Sequence, residues 1–467
     1  MSELSKLLEH CLKCSHCQSA CPMATHDSDY PGPKVLGPDL SRLKCAGAEG
    51  AGVSPDTKDL LKFLDKCSGC QRCDVACPFG VPVAQLVRQN KSLRSGKRSL
   101  RDKMLASPQL LGRMGTALAL LANTALKNTA LQKIMSGMLG LDMEQPFSFA
   151  AKKDLLQPTL GRPAEPQEQT KLSVTSQPGS PLDSAGQTKP SDPVQRQEPA
   201  ELEGQVRTLE RAQQAEAITP LELAEKKVIY FPGCYVNYYE PEVGKAFLQL
   251  LGLLGVQALV SEQICCGMPL LAAGNREQTH KTFQHNLRYF KDYVDQGYEI
   301  VTTCPSCSLA FKKIYVEEVR SGDAQQLASA VYDFSEYLEP YSCRLAALVH
   351  PVIEEHAVYH LPCHIQAQGT GMLGVNLLRL IPGLELEIVD GCCGQSGTYG
   401  YKVENKGVSM AISRTLAQQL TAINPSIIIT PCGSCKDRIS FVSGIKTLHP
   451  VQILKAAVDG SRLMTNY

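Results

Sequence analysis

Cys11-Leu12-Lys13-Cys14-Ser15-His16-Cys17-Gln18-Ser19-Ala20-Cys21-Pro22 and Cys67-Ser68-Gly69-Cys70-Gln71-Arg72-Cys73-Asp74-Val75-Ala76-Cys77-Pro78 are two copies of one cysteine spacing. Three thiolates on one tight loop hold three irons of a cubane, while the fourth, followed by proline, turns away and ligates the other cluster. The spacing therefore predicts one 4Fe-4S cluster on Cys11, Cys14, Cys17 and Cys77, and a second on Cys67, Cys70, Cys73 and Cys21. Zinc sites and disulfides also use cysteine, but neither calls for two full copies of this run. Such a chain moves electrons.

At 467 residues the chain is too long for these runs alone and suggests about three domains on the usual size prior. Twenty cysteines, with no apolar core in the first fifteen residues to act as a leader, point to a reducing cytosol where cysteine clusters bind metal. The formal charge of +1 creates no global field for nucleic acid. No uninterrupted apolar run reaches the roughly 20 residues that span a bilayer, so membrane contact is expected to be peripheral.

Between the two runs, Tyr30-Pro31-Gly32-Pro33-Lys34-Val35-Leu36-Gly37-Pro38-Asp39 is punctuated by proline and glycine and reads as a loop connecting the cluster-binding halves. Apolar spacing at 57–65 and 82–94 predicts helices, so residues 1–100 read as a mainly helical dicluster ferredoxin domain. From Arg88 to Lys103 the basic residues are Arg88, Lys91, Arg94, Lys97, Arg98, Arg101 and Lys103, against one acid, Asp102. Residues 101–150 form an amphipathic segment in which Leu110, Met114, Leu118, Leu121, Leu131, Met135 and Met138 recur near helical period. Two readings compete there: a helical pair packed on the ferredoxin core or a partner subunit, or an interfacial helix with a basic flank lying on anionic lipid. Residues 151–225 have linker composition, with eight prolines between 157 and 200 and no aromatic or cysteine from Ala150 to Ile229. Such a segment is too poor in apolar bulk to order itself, so it is expected to be a disordered tether between separately folding halves placed by docking.

Beyond the tether the chain repeats itself. Cys234, Cys265-Cys266-Gly267 and Cys304-Pro305-Ser306-Cys307 recur as Cys363, Cys392-Cys393-Gly394 and Cys432-Gly433-Ser434-Cys435. The separations 234 to 363, 265 to 392 and 304 to 432 are 129, 127 and 128 residues, the mark of a duplicated domain. Residues 226–345 and 350–467 are the two copies. Strand-like runs at 227–231, 257–260 and 299–303, and at 357–361, 385–389 and 427–430, alternate with helical patterns at 242–254, 276–294, 307–319, 372–380 and 404–422. Alternation of this kind builds parallel sheets, and all five cysteines of each copy would emerge at the carboxyl ends of the strands, where ligands gather. Five thiols, two of them adjacent, suit a larger iron-sulfur assembly better than a four-ligand zinc. The architecture expected is α+β and multidomain, with two repeated α/β cysteine-rich domains. Cys45 and Cys343 fall outside every pattern and read as ordinary small residues.

His360 and His364 flank Cys363, either as metal ligands or proton shuttles or as hydrogen-bonded structural histidines at a strand end. Gly369-Thr370-Gly371-Met372-Leu373-Gly374, with Asp390 further on, matches a dinucleotide fingerprint in letters only, because Cys363 to Gln368 separates it from its strand. No flavin or nicotinamide site is expected.

Two ferredoxin runs followed by two CCG repeats resemble subunits related to heterodisulfide reductase and the iron-sulfur subunits of glycolate and lactate oxidation systems. Tyr30 to Lys34, Gly37-Pro38-Asp39, Gly233 to Tyr238, Cys265 to Leu270, His360 to His364 and Gly397 to Tyr401 are similar to the iron-sulfur subunit family of anaerobic glycerol-3-phosphate dehydrogenases that carries this same layout. The resemblance implies a non-catalytic electron-transfer subunit that takes electrons from a partner flavoprotein, in a complex with a second dehydrogenase subunit. It further implies delivery to membrane quinone, peripheral attachment on the cytoplasmic side of the inner membrane, and non-cubane 4Fe-4S clusters held by Cys234, Cys265, Cys266, Cys304 and Cys307 and by Cys363, Cys392, Cys393, Cys432 and Cys435. A heterodisulfide reductase-like or glycolate/lactate oxidation role is the alternative within the same resemblance.

Overall fold

The computed structural model describes residues 3–46, 59–91, 99–142, 144, 148–159, 226–262, 264–351 and 355–461. Most of the expected tether, 160–225, lies outside the described residues, as do Arg94, Lys97 and Arg98 of the basic run.

Each repeat is a four-stranded parallel sheet. In the first, β1 (Val228–Tyr230), β2 (Ala258–Val260), β3 (Glu299–Thr302) and β4 (Val331–Asp333) lie in the order β2-β1-β3-β4. In the second, β5 (Glu355–Leu361), β6 (Leu384–Asp390), β7 (Ile427–Ile429) and β8 (Thr447–Leu448) lie in the order β6-β5-β7-β8. The central strands are buried on both faces and read as unbroken apolar runs, Val-Ile-Tyr in β1 and Ile-Ile-Ile in β7. The six strands expected from sequence are present. The edge strands β4 and β8 were not foreseen, being too short for a period to show.

Helices Pro241–Leu253, Arg276–Asp295, Gly371–Leu378 and Lys406–Ala422 fall where apolar spacing put them. The expected helix 307–319 runs as Pro305–Leu309, a wider π-helical turn over Ala310–Ile314, then Tyr315–Val319. The two repeats share one core: Phe247, Leu250 and Leu251 of the first pack in the same cluster as Val375, Ile427 and Leu454 of the second.

The proline-rich stretch 30–39 corrects the sequence reading, since it is helical rather than a loop. Gly32–Lys34 begins a turn that widens over Val35–Asp39 and continues as Leu40–Ala46. Pro33 sits in the first turn, where its missing N–H is not needed. The wide turn, with the Leu40 N–H reaching back to the Val35 carbonyl, accommodates Pro38. Helix Val83–Lys91 packs across it, and Asn90 Nδ2 donates to the carbonyls of Leu36 (2.8 Å) and Gly37 (3.2 Å).

Residues 101–142 form more than the expected pair, with helices Pro108–Ala117, Ala119–Lys127 and Thr129–Leu139. They dock through small residues: a Cβ on Gly112 would collide with the Tyr238 ring and one on Gly115 with the Phe149 ring. The apolar residues that set the period mostly face outward, with Met114 63%, Leu121 68% and Met138 80% exposed. No helix among the described residues is long and apolar enough to cross a membrane.

Candidate iron-sulfur centres

The two N-terminal loops are shaped alike. Lys13 and Ser15 adopt left-handed backbone, at φ 58° and 70°, as do Gly69 and Gln71 at 71° and 60°. These reversals turn each Cys-x-x-Cys-x-x-Cys loop inward on itself, while Cys21 opens the short helix Pro22–His26 and so faces away from its own loop. Cys11, Cys14, Cys17 and Cys77 line one small cavity of about 20 Å³ walled by Pro38, Val81 and Val83. Burial, then the nearby Cys77, Cys11 and Cys14, pushes the Cys17 thiol up to about 11. Cys21 is pushed up to about 12 by burial and by Cys70 and Cys67, and burial, Asp74 and then Cys70, Cys67 and Cys21 raise Cys73 further. The polypeptide thus groups the thiols as the spacing predicts, with Cys21 and Cys77 exchanged. Tyr30, which sequence reasoning passed over, is buried against the second group.

In each repeat the cysteines follow the carboxyl ends of three strands. Cys234, Cys265-Cys266 and Cys304 succeed β1, β2 and β3; Cys363, Cys392-Cys393 and Cys432 succeed β5, β6 and β7. The close approach needs glycine at Gly233, φ 69°, where a Cβ would lie 3.0 Å from Cys307 Sγ. In both CCG loops the glycine N–H points at the first thiol, Gly267 N to Cys265 Sγ at 3.4 Å and Gly394 N to Cys392 Sγ at 3.5 Å. A second-layer donor fixes each loop: Asn286 Nδ2 to the Cys265 carbonyl, and Ser413 Oγ to the Cys393 carbonyl, both 2.8 Å. Thiol donation by Cys435, 3.2 Å away, holds Cys393 down to about 7, and donation by Cys234 and Cys266 holds Cys265 well below the usual thiol range.

The three cysteine groups are not separate. A cavity of about 190 Å³ is lined by Cys67 and Cys70 of the N-terminal half, by Cys234, Cys266, Cys304 and Cys307, and by all five cysteines of the second repeat. Arg72, between Cys70 and Cys73, makes a bidentate ion pair with Asp390, at 2.7 and 2.9 Å, two residues before Cys392. Burial opposes ionisation of Asp390, yet Arg72 and Gln366 hold its carboxyl below the ordinary range. Arg88 pairs with Glu317 and Glu318 of the first repeat, and Lys313 lies 3.6 Å from Asp74. Arg88 and Arg101, which pairs with Glu404, therefore turn to internal partners rather than forming a free basic flank.

These sites fit iron-sulfur clusters. The donors are sulfur throughout, and among the described residues no three His, Cys, Asp or Glu side chains converge as one ion would need. Gln71, 1% exposed in the second loop, has neither side-chain atom hydrogen-bonded, as expected of a group facing something other than polypeptide. Bound clusters would take the thiols as thiolates, overriding the raised values above.

His360 is a structural histidine, with Nδ1 3.0 Å from Thr430 Oγ1 and Nε2 3.1 Å from the Gly391 carbonyl; burial lowers it to about 4. His364 joins three parts of the chain, with Nδ1 2.8 Å from Ser306 Oγ of the first repeat and Nε2 3.4 Å from the Gly69 carbonyl. Neither points a free nitrogen at a thiol. The fingerprint-like glycines lead into helix Gly371–Leu378, where Gly374 packs on Tyr359, and Asp390 is engaged by Arg72. Cys343 is exposed on helix Ser342–Leu348, and the Cys45 side chain lies outside the described residues.

Comparison with known proteins agrees with this layout. A 4Fe-4S dicluster domain family matches residues 7–81, and a cysteine-rich domain family matches 228–312 and 357–440. The chain is 28% identical over 457 residues to a subunit of the anaerobic glycerol-3-phosphate dehydrogenase of Escherichia coli (strain K12), covering 96% of this chain and 98% of that one. It is 30% identical over 216 residues to a subunit of the fumarate reductase (CoM/CoB) of Methanothermobacter marburgensis, covering 45% of this chain and 41% of that one. Over 190 residues it is 30% identical to lactate utilization protein A of Bacillus velezensis, covering 38% of this chain and 76% of that one.

Proposed function

We propose that the chain, which matches a 4Fe-4S dicluster domain family once and a cysteine-rich domain family twice, is an iron-sulfur electron-transfer subunit that relays electrons from a flavoprotein that oxidises sn-glycerol 3-phosphate to membrane quinone. The observation that carries this reading is the one cavity onto which Cys67 and Cys70, four cysteines of the first repeat and all five of the second open. It supports a path from the second N-terminal cluster to the repeats. We assign Cys11, Cys14, Cys17 and Cys77 to the first cluster and Cys67, Cys70, Cys73 and Cys21 to the second. The repeat ligands are Cys234, Cys265, Cys266, Cys304 and Cys307, and Cys363, Cys392, Cys393, Cys432 and Cys435, holding non-cubane 4Fe-4S clusters. The domains follow as 1–100, 101–150, 151–225, 226–345 and 350–467.

In this reading the clusters supply reversible one-electron chemistry, and the protein's own part is placement. Arg72 and Asp390 clamp the second loop against the second repeat, while His364 ties that loop to both repeats. The outward apolar residues of Pro108–Ala117, Ala119–Lys127 and Thr129–Leu139 are the proposed contact with the cytoplasmic face of the inner membrane, a peripheral attachment.

The test is reconstitution of the full chain with its dehydrogenase partners under argon. Glycerol 3-phosphate should reduce a quinone analogue only when the iron-loaded chain is present, and the chain should float with anionic vesicles. Quinone reduction that survives replacement of both Cys14 and Cys70 by serine would sink the relay. A second reading, reduction of a disulfide at the paired repeats, rests on the resemblance of the two CCG repeats to heterodisulfide reductase subunits. Turnover of a disulfide with a viologen donor and no dehydrogenase partner would establish it instead.

A further inference from the structure

Among the described residues Arg438 is the largest fully buried side chain, 1% exposed, and it forms no ion pair with an acid there. Its guanidinium donates from Nε to Gln395 Oε1 at 2.8 Å, again to that oxygen from Nη2, from Nη1 to Met410 Sδ at 2.9 Å, and from Nη2 to the Gly400 carbonyl at 3.3 Å. All of these acceptors are neutral. Asp142 is the carboxylate whose charge reaches it, and Asp142 is held at 3.4 Å by Lys406. A guanidinium keeps its charge in any protein environment, and an uncompensated buried charge costs several kcal/mol. Something must balance it.

Its neighbourhood says what. Arg438 lies one helical turn beyond Cys435 on helix Gly433–Ser443, and Gln395, which it grips, is two residues beyond Cys393. Both segments that hold the guanidinium thus carry cysteines of the second repeat's site. The duplicated first repeat serves as an internal control. At the separations that align the cysteines, Arg438 corresponds to Ala310, Gln395 to Met268 and His360 to Phe231. There Cys266 and Cys307 share a core with Phe231, Phe283, Phe311 and Tyr315, and the buried cation beside that repeat, Lys91 of the N-terminal half, donates to the Ala272 carbonyl at 2.6 Å and lies 3.8 Å from Asp65.

We propose that Arg438 is a positioning and charge-compensating residue for the second repeat's thiolate site, making the cluster there easier to reduce than its counterpart in the first repeat. The proposal rests on the ligand assignment above. Reduction adds one electron, delivered from the adjacent N-terminal cluster, and with it one negative charge; no bond is made or broken. Arg438, one helical turn from Cys435, stabilises that added charge, whereas Ala310 at the equivalent position of the first repeat does not. Net charge, hydrogen bonding and burial around the sulfurs are the levers by which a protein sets such potentials. The second repeat therefore accepts first, and the first repeat is the more reducing site.

The experiment is an EPR-monitored potentiometric titration of the iron-loaded full chain. Cys307→Ser and Cys435→Ser first assign the signals of the two repeats. In the unmodified chain the second repeat should titrate at the higher potential; the reverse order overturns the proposal even if no Arg438 variant folds. Arg438→Gln should reduce the fraction of that site reduced at the unmodified midpoint, with a ratio change of at least tenfold, about 59 mV for one electron. The first repeat's signal should stay in place, and Arg438→Lys should recover most of the shift. An unshifted potential in Arg438→Gln at full iron content overturns the charge-compensating role. Zinc, or iron confined to the N-terminal half, would instead overturn the ligand assignment and this proposal with it.

Discussion

In the first repeat Cys266 and Cys307 are packed among Phe231, Phe283, Phe311 and Tyr315, whereas in the second the equivalent Cys393 and Cys435 are surrounded by Gln395, Ser409, Ser413 and Arg438 as well as aliphatic residues. The backbones that present them share strand order, cysteine positions after the strands and the glycine N–H to thiol contact, and differ behind the last cysteine, where the first repeat widens into a π-helical turn over Ala310–Ile314 and the second stays α-helical over Gly433–Ser443. Duplication has kept what places the ligands and varied what lies behind them. Strand ends fix thiol positions through backbone geometry, so side chains one layer back are free to differ, and those set charge and polarity.

The harshest way to break the comparison is to remove what both repeats share. Cys70→Ser opens the loop that faces the common cavity, and electron delivery to a quinone analogue should fall by more than ~100-fold, beyond the 10–100-fold typical of an outer-layer partner. Undiminished steady-state delivery would mean that the repeats are fed by another route. Next in size, Phe311 and Ile439 are equivalent residues, both fully buried behind a thiol. Phe311→Ala should cost about 3–5 kcal/mol and Ile439→Ala about 2–5. Urea midpoints of the loaded chain measure both, and a larger loss for Ile439→Ala would show that the aromatic wall is not the tighter-packed of the two.

A pH comparison sharpens the same contrast. Asp333 at the end of β4 and His449 after β8 each open a helix through a capping box and are buried. Burial, then Glu336, pushes Asp333 up to about 7 from 3.8, so the folded state binds the extra proton and stability falls as pH rises from about 4 to about 7. Burial pushes His449 down to about 3 from 6.5, so the unfolded chain binds the extra proton and stability falls as pH drops from about 6.5 toward 3. Asp333→Asn and His449→Gln should each remove a slope of up to about 1.4 kcal/mol per pH unit, of opposite sign. Denaturation midpoints at a series of pH values test this, and slopes of the same sign would refute it. The smallest effect expected is at the clamp. Asp390 is half exposed, so a double-mutant cycle of Arg72→Leu and Asp390→Asn should give a coupling of about 1 kcal/mol or less. A coupling well above that would mean the clamp is closed to solvent in solution.

Much of this was legible beforehand because cysteine spacing is a local code. The crossover of Cys21 and Cys77 follows from a proline that redirects the chain, and six strands follow from short apolar runs between helical periods. The π-helical turn through Pro38 was not legible, because proline argues against helix unless the turn widens. Arg72, Tyr30, Arg438 and the Asp333–His449 pair were equally hidden. Arg438 sits in an ordinary helical pattern, and nothing local distinguishes a buried arginine from a solvated one.

By itself the sequence determined the cysteine groups, the exchange of Cys21 and Cys77 between them in the N-terminal half, the duplication and the parallel α/β architecture, since each of these is written in spacing and period. The tertiary structure alone decided that three cysteine groups share one cavity and that the amphipathic helices turn their apolar residues outward. It alone decided, too, that one repeat buries a cation where its twin buries an alanine. These depend on which surfaces dock and which side chains lose water, and that is settled by packing between segments hundreds of residues apart, as between Arg72 and Asp390.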